Sequence, residues 1–360
     1  MKETEYYNLL HGHSTAAGPH RNHQKVEHIK EKISVTVIGG FLGSGKTSLV
    51  NHIVAHSLDS PVDVLVREYG EMPIDDMLIH VDPKRLHVFP GVSLHYDPQL
   101  MLYGFMDNLG GEADEKIHHL LMEASGLDEP EYLSRLFLLG NIRNKYHQES
   151  YVTIVDAEFA HVNLDEYPLV QEQIAYADVI LLNKTDLVEA DEIPTIIDRL
   201  RRINGLAKIF ETQYCKIDPQ TVLETDAFDQ LMHLESFSTE KSEDKPMDNI
   251  TTIILQENRA MDKDKVNFWL DRLFRDQSIK LLRSKGIFYF SGSDFKFEFQ
   301  GVRTSFHSKA LSEWQEGEER KSVMVIIGEA LDVATLKQDF SQCVQNEESI
   351  AVSDKRHKIS

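Results

Sequence analysis

The chain has 360 residues, 41% of them hydrophobic, a length and composition that suit two domains with sizeable cores. Its formal net charge of −21 opposes the phosphate backbone of nucleic acids, and no run of 18 apolar residues offers a membrane span. Two cysteines make no disulfide framework, which fits a reducing cytoplasm. Residues 1–30 are polar and hold His11, His13, His20, His23 and His28. Such a leader either binds metal loosely or does nothing with its histidines, and it lacks the apolar core of a secretory signal.

The run Ile33–Ile38 is short and β-branched, so it reads as a buried strand. It leads into Gly40-Phe41-Leu42-Gly43-Ser44-Gly45-Lys46-Thr47, which fits G-x-x-x-x-G-K-[ST]. An amphipathic helix starts at Ser48. A strand, a glycine loop and a helix N-terminus in this order make an anion site of backbone N–H groups. Glycine lets the chain curl around phosphate oxygens with no side chain in the way. Gly40, Gly43, Ser44, Gly45 and Ser48 are therefore candidate phosphate-binding residues. Lys46 is expected to reach the β- and γ-phosphates, and the Thr47 hydroxyl to hold Mg²⁺.

Further strands are expected at 62–67, 86–89, 117–122, 151–156, 179–183 and 207–211. Strands alternating with helices imply a mainly parallel sheet covered on both faces, an α/β P-loop NTPase domain over residues 31–235. Ligand then sits beyond the carboxyl ends of the strands. The strand at 117–122 runs into Glu123-Ala124-Ser125-Gly126. A carboxylate followed by a glycine is what the Mg²⁺ and γ-phosphate side of such a pocket needs. Glu123 could hold a metal-bound water, and the Gly126 N–H could face the γ-phosphate.

The apolar run ending at Leu182 opens onto Asn183-Lys184-Thr185-Asp186. An Asp186 carboxylate can accept two N–H donors from guanine, and adenine offers no such pair. Asn183, Lys184 and Asp186 are thus candidate guanine-side residues, and the nucleotide expected is GTP, with GDP as product. The segment Ile209–Tyr214 is expected to supply a further guanine-side loop.

Residues 236–249 are polar and read as a linker. Beyond them comes a strand at 250–255 and an amphipathic helix at 262–274, with Val266, Trp269, Leu270 and Leu273 on one face. Strands after Gly286, at 295–300 and at 322–328, and a helix at 332–340, complete a β-α-β-β-β-α pattern. This predicts a small α+β domain over 250–342, with a polar tail at 343–360. Phe295, Phe297 and Phe299 alternate as in a half-buried strand and read as core residues rather than a ligand platform.

Taken with Arg67–Asp76, Glu123–Pro130, Val152–Ala157 and Gln173–Val188, these motifs make the chain resemble the CobW-type GTPases. Those are relatives of the urease and hydrogenase nickel-insertion GTPases. The resemblance spans roughly residues 33–340 and includes the C-terminal stretches Arg283–Ile287 and Phe299–Val302. It implies GTP hydrolysis coupled to delivery of a metal or metal cofactor to a client metalloenzyme, and it admits a homodimer. Segment 67–76 is then a switch that orders against the γ-phosphate. Within it Glu71 and Asp75 are candidates for positioning water or holding a metal.

The chain departs from the family at one place. The usual Gly-Cys-x-Cys-Cys metal motif falls on Gly91-Val92-Ser93-Leu94-His95, so Val92, Leu94 and His95 stand where thiolates are expected. Thiolate chelation of the family type is therefore unavailable. A replacement site for Zn²⁺, Co²⁺ or Ni²⁺ would draw on His87, His95, His118, His119, Glu68, Glu71 and Asp75. The alternative is a GTPase switch without metal that assembles or activates a partner protein.

Overall fold

A computed structural model describes residues 32–57, 62–67, 80–89, 98–109, 117–223, 250–276 and 278–345. The chain divides into two compact units. One holds residues up to Ala160 together with Ala177–Ile193 and Lys208–Thr225. The other holds His161–Tyr176, Pro194–Ala207 and the chain from Asp226 onward.

The first unit is built on strands β1 (Ile33–Gly40), β2 (Asp63–Arg67), β3 (Leu86–Phe89), β4 (His119–Glu123), β5 (Tyr146–Asp156), β6 (Val179–Asn183) and β7 (Lys208–Glu211). They form one sheet in the order β3-β2-β4-β1-β5-β6-β7, and every described pairing is parallel. The mainly parallel α/β sheet expected from sequence is present. Strand β5 begins five residues ahead of the expected 151–156, because the polar stretch Tyr146–Ser150 pairs with β1 across a bulge.

Alternate residues of these strands enter two separate cores. Val35, Val37, Leu65, Leu120 and Met122 join one cluster with Leu102, Tyr103 and Met106 of α2 (Pro98–Asn108). Ile38, Val64, Val66 and Leu121 join the other with Leu49, Val50 and Ile53 of α1 (Lys46–His56). Burial on both faces explains why the strands read as continuous apolar runs.

Near the amino end of β4, His119 Nε2 lies 2.9 Å from the Thr36 hydroxyl. Burial pushes its pKa down from 6.5 to about 4. Below pH 6.5 the unfolded chain takes up a proton that the folded chain refuses until about pH 4, so this contribution is intact above 6.5 and is lost as pH falls toward 4. The loss amounts to about 3 kcal/mol. His119→Gln should flatten the fall in urea midpoint between pH 6.5 and 4, and an unchanged slope would show that other groups carry it.

The second unit contains most of α3 (Ala160–Glu166), α4 (Pro168–Ala175) and most of α5 (Glu192–Ile203), with a five-stranded antiparallel sheet. That sheet has the order β11-β10-β9-β12-β8. Its strands are β8 (Ile250–Glu257), β9 (Lys280–Tyr289), β10 (Phe295–Val302), β11 (Ser305–Glu313) and β12 (Ser322–Glu329). Helices α6 (Lys263–Arg275) and α7 (Val333–Gln342) start at Asp262 and Asp332, whose carboxylates accept the N–H groups of their first turns.

The expected β-α-β-β-β-α pattern lacked one strand. Strand β11 was missed because its residues Ser305–Glu313 are mostly polar. Val266, Trp269, Leu270 and Leu273 are buried as the helical spacing predicts, in one cluster with Phe288, Phe299 and Phe340. Of the three alternating phenylalanines, Phe299 is buried and Phe297 packs at the edge of that cluster, but Phe295 is 43% exposed where β10 begins. No helix among the described residues is long and apolar enough to cross a membrane.

Candidate nucleotide site

Register places the site. Strand β4 lies between β1 and β2, with Glu123 opposite both Ile38 and Val66. Gly40 lies opposite Ile154, and Asp156 opposite Asn183. The carboxyl ends of β1, β4, β5 and β6 therefore open on one rim, where parallel α/β sheets bind ligand.

Between β1 and α1 the backbone turns through left-handed conformations, with φ of 135° at Gly40, 74° at Gly43 and 115° at Gly45. Only glycine takes these without strain. Gly43 faces open space. The opposite holds at Gly45, where an added Cβ would stand 2.7 Å from Asn183 Nδ2 and 3.0 Å from Cys215 Sγ. Gly45→Ala should cost about 2–4 kcal/mol through strain and overlap, read as a lower urea midpoint with the m-value unchanged.

Helix α1 has no side-chain cap at Gly45 and no acidic residue of its own in the first turn, which leaves its first backbone N–H groups uncapped by side chains of the helix. Ser44 is buried, and its hydroxyl finds no hydrogen-bond partner among the described residues. The Lys46 ammonium folds back along the loop, donating to the Gly40 carbonyl at 3.1 Å and the Phe41 carbonyl at 3.2 Å. Ser48 is exposed. The Thr47 hydroxyl donates to Glu123 Oε1 at 2.7 Å. The structure thus brings together Thr47 and Glu123, residues 76 positions apart. An added Cβ on Gly126 would come 2.8 Å from Leu42 N, so this glycine abuts the phosphate loop.

Asn183 is a buried hub. Its Nδ2 donates to the Ser44 carbonyl at 2.9 Å, and its Oδ1 accepts from Cys215 N at 2.9 Å and from the Thr212 hydroxyl at 3.3 Å. The two loops found in sequence are therefore held side by side. Thr185 Oγ1 donates to the Thr212 carbonyl at 3.2 Å, which brings the segment after β7 beside Asn183–Asp186. Asp186 is exposed.

Sequence reasoning missed three supports. Asp156 Oδ2 accepts from Lys184 Nζ at 2.6 Å, fixing a residue whose backbone is itself left-handed with φ of 61°. The aspartate stands in the quoted Val152–Ala157 segment, but nothing in its local pattern named a partner. Cys215 packs its thiol 3.4 Å from the Gly45 carbonyl, and burial pushes its pKa up to about 12. Arg67 pairs with Asp128 at 3.2 Å.

The metal candidates fare differently. Glu68, Glu71, Asp75, His95 and the histidines of the leader lie outside the described residues. His118 and His119 do not join Glu123, because they stand at the amino end of β4 and Glu123 at its carboxyl end. Four steps along the strand carry Glu123 about 13 Å from His119. His87 Nε2 is 3.1 Å from Asp63 Oδ1, an aspartate that Arg85 also contacts at 3.2 Å. Among the described residues no three His, Cys, Asp or Glu side chains gather as a metal site.

A parallel sheet carrying this glycine loop at β1 and an Asn-Lys-x-Asp loop at β6 defines a P-loop NTPase of the guanine-reading class. Residues 34–211 match the CobW/HypB/UreG nucleotide-binding domain, and residues 250–344 match the cobalamin synthesis protein cobW C-terminal domain. The chain belongs to the CobW family of P-loop GTPases. It is 28% identical over 318 residues to the zinc chaperone YjiA of Escherichia coli, covering 86% of this chain and 98% of that one. It is 27% identical over 330 residues to the zinc-regulated GTPase metalloprotein activator 1 of Schizosaccharomyces pombe, covering 79% of this chain and 78% of that one. The crystal structure of Zn(II)-bound YjiA GTPase from E. coli superposes with a TM-score of 0.67 at 25% identity, covering 88% of this chain and all of that one.

Proposed function

We propose that the chain binds and hydrolyses GTP and couples this cycle to handing a divalent metal, zinc by analogy with its relatives, to a client protein. The observation that carries the nucleotide reading is the 2.9 Å hydrogen bond from Asn183 to the Ser44 carbonyl, which sets the candidate base reader and the phosphate loop as one unit. The metal reading is supported by relatives named as zinc chaperones and as a metalloprotein activator.

In this reading the Gly40–Lys46 backbone and the first turn of α1 hold the phosphates, and Asp186 accepts the guanine N–H donors. Lys46 leaves the two loop carbonyls and donates to β- and γ-phosphate oxygens, where charge grows as the bond breaks. Thr47 and Glu123 offer the hard oxygens suited to Mg²⁺, which would neutralise phosphate charge there. Lys184, tied to Asp156, shapes the loop that presents Asp186.

A second reading, a GTPase switch without metal cargo, is favoured by one observation. The chain's two cysteines are buried and poor thiolates, with pKa values pushed up to about 12 at Cys215 and about 11 at Cys343. Calorimetric titration of Zn²⁺, Co²⁺ and Ni²⁺ into Mg²⁺–GTP-loaded protein, with and without residues 1–30, separates the two. Stoichiometric binding that survives truncation supports metal delivery. Weak binding that vanishes with the leader supports the partner switch.

A further inference from the structure

Arg67 ends β2 and is 4% exposed. Its guanidinium carbon lies 5.8 Å from the ring centre of Phe89 and 5.1 Å from that of Tyr132, so two aromatic faces hold it. Its Nη1 stands 3.2 Å from Asp128 Oδ2, with side-chain exposures of 3% and 1%. The contact is an ion pair and not an aligned hydrogen bond, because among the described residues neither Nε nor Nη1 meets an acceptor in bonding geometry. Desolvating two charges offsets most of their attraction, so stability alone is a weak reason for such a pair.

What the pair does hold is the loop after β4. Asp128 Oδ2 also accepts the Ser125 N–H at 2.8 Å, and the Asp128 N–H donates to the Ser125 carbonyl at 3.0 Å. These bonds close the turn that contains Gly126. That glycine abuts the phosphate loop, since an added Cβ would come 2.7 Å from Leu42 Cδ2. At the other end of the loop Ala124 N donates to the Ile38 carbonyl at 2.9 Å, so the loop is anchored on β1 and on Asp128. Displacing Asp128 therefore displaces Ser125 and Gly126 against Leu42.

We propose that Arg67 is a positioning residue for triphosphate recognition: through Asp128 it sets the Ser125–Asp128 turn against the phosphate loop, so that the site distinguishes GTP from GDP. The inference rests on the guanine-nucleotide reading above and names the residue that tunes it. Arg67 touches no phosphate in this scheme. Its effect passes through the turn, which borders the end of the site where the third phosphate would lie.

The test uses the full chain, with Arg67→Gln, Arg67→Lys and the double variant Arg67→Gln/Asp128→Asn. The dissociation constants of GDP and of a non-hydrolysable GTP analogue are measured, with amide hydrogen exchange over 124–128 in nucleotide-free protein. The expected result for Arg67→Gln is about tenfold or greater weakening toward the GTP analogue, with GDP unchanged within about twofold. Exchange at Ser125–Asp128 should quicken, and Arg67→Lys should restore part of both. The double variant leaves no buried charge unpaired and keeps the test open where the single variant does not fold. Equal weakening toward both nucleotides, or a wild-type ratio with unchanged exchange, would overturn the proposal. Failure of the wild-type chain to bind either nucleotide would instead overturn the function reading on which it rests.

Discussion

Asp186→Asn should weaken GDP and GTP binding by roughly 10²–10⁴-fold and make the protein accept xanthine nucleotides instead. Asp186 is exposed on the loop after β6, and in the proposed function its carboxylate accepts two adjacent N–H donors. Two charge-assisted hydrogen bonds at about 1.5–3 kcal/mol each account for that range. Asparagine turns one acceptor into a donor, so it opposes the guanine amino group. Xanthine carries a carbonyl at that ring position and matches the new pattern. The buried framework is untouched, since Asn183 and Lys184 keep their bonds to Ser44 and Asp156. Titrating GDP and XDP into both proteins gives the answer. A variant that holds GDP within a few-fold of wild type would show that Asp186 does not face the base.

Lys46→Ala should lower GTP turnover by on the order of 10²–10³-fold, the scale found when one preorganised charge-stabilising donor is removed. The fold should survive. The ammonium donates to the carbonyls of Gly40 and Phe41, and both belong to a loop whose shape is set by its glycines. Phosphate release under saturating GTP is the measurement, with the melting temperature as control. Turnover near that of wild type would place the charge stabilisation on another group.

The parts legible in sequence share one property: the chemistry sits in a contiguous run. Gly40–Thr47 and Asn183–Asp186 are each read from the spacing of neighbouring residues, and the structure holds the two loops together through Asn183 and Ser44. Glu123 was legible because an apolar strand ends on it. The supports were not legible, because each joins segments remote in sequence. Lys184 meets Asp156 across 28 residues, and Cys215 meets Gly45 across 170. Only the strand order, with β5 beside β6 and β1, brings such pairs together.

The same limit applied to the metal candidates. His118 and His119 precede Glu123 closely in sequence, yet an extended strand carries them to the opposite rim. Strand β11 and the first turn-side residues of β5 were missed for a different reason. Their polar sequences pair by backbone hydrogen bonds, and hydrophobic periodicity does not register that.

The position of Cys215 has a practical consequence. Its sulfur is wholly enclosed, against the Gly45 carbonyl, and Cys343 is buried as well. A thiol reagent can reach Cys215 only when the phosphate loop and the Thr212–Cys215 turn part. The unmodified chain therefore carries its own clock: the pace of labelling at Cys215 counts how often those two segments come apart.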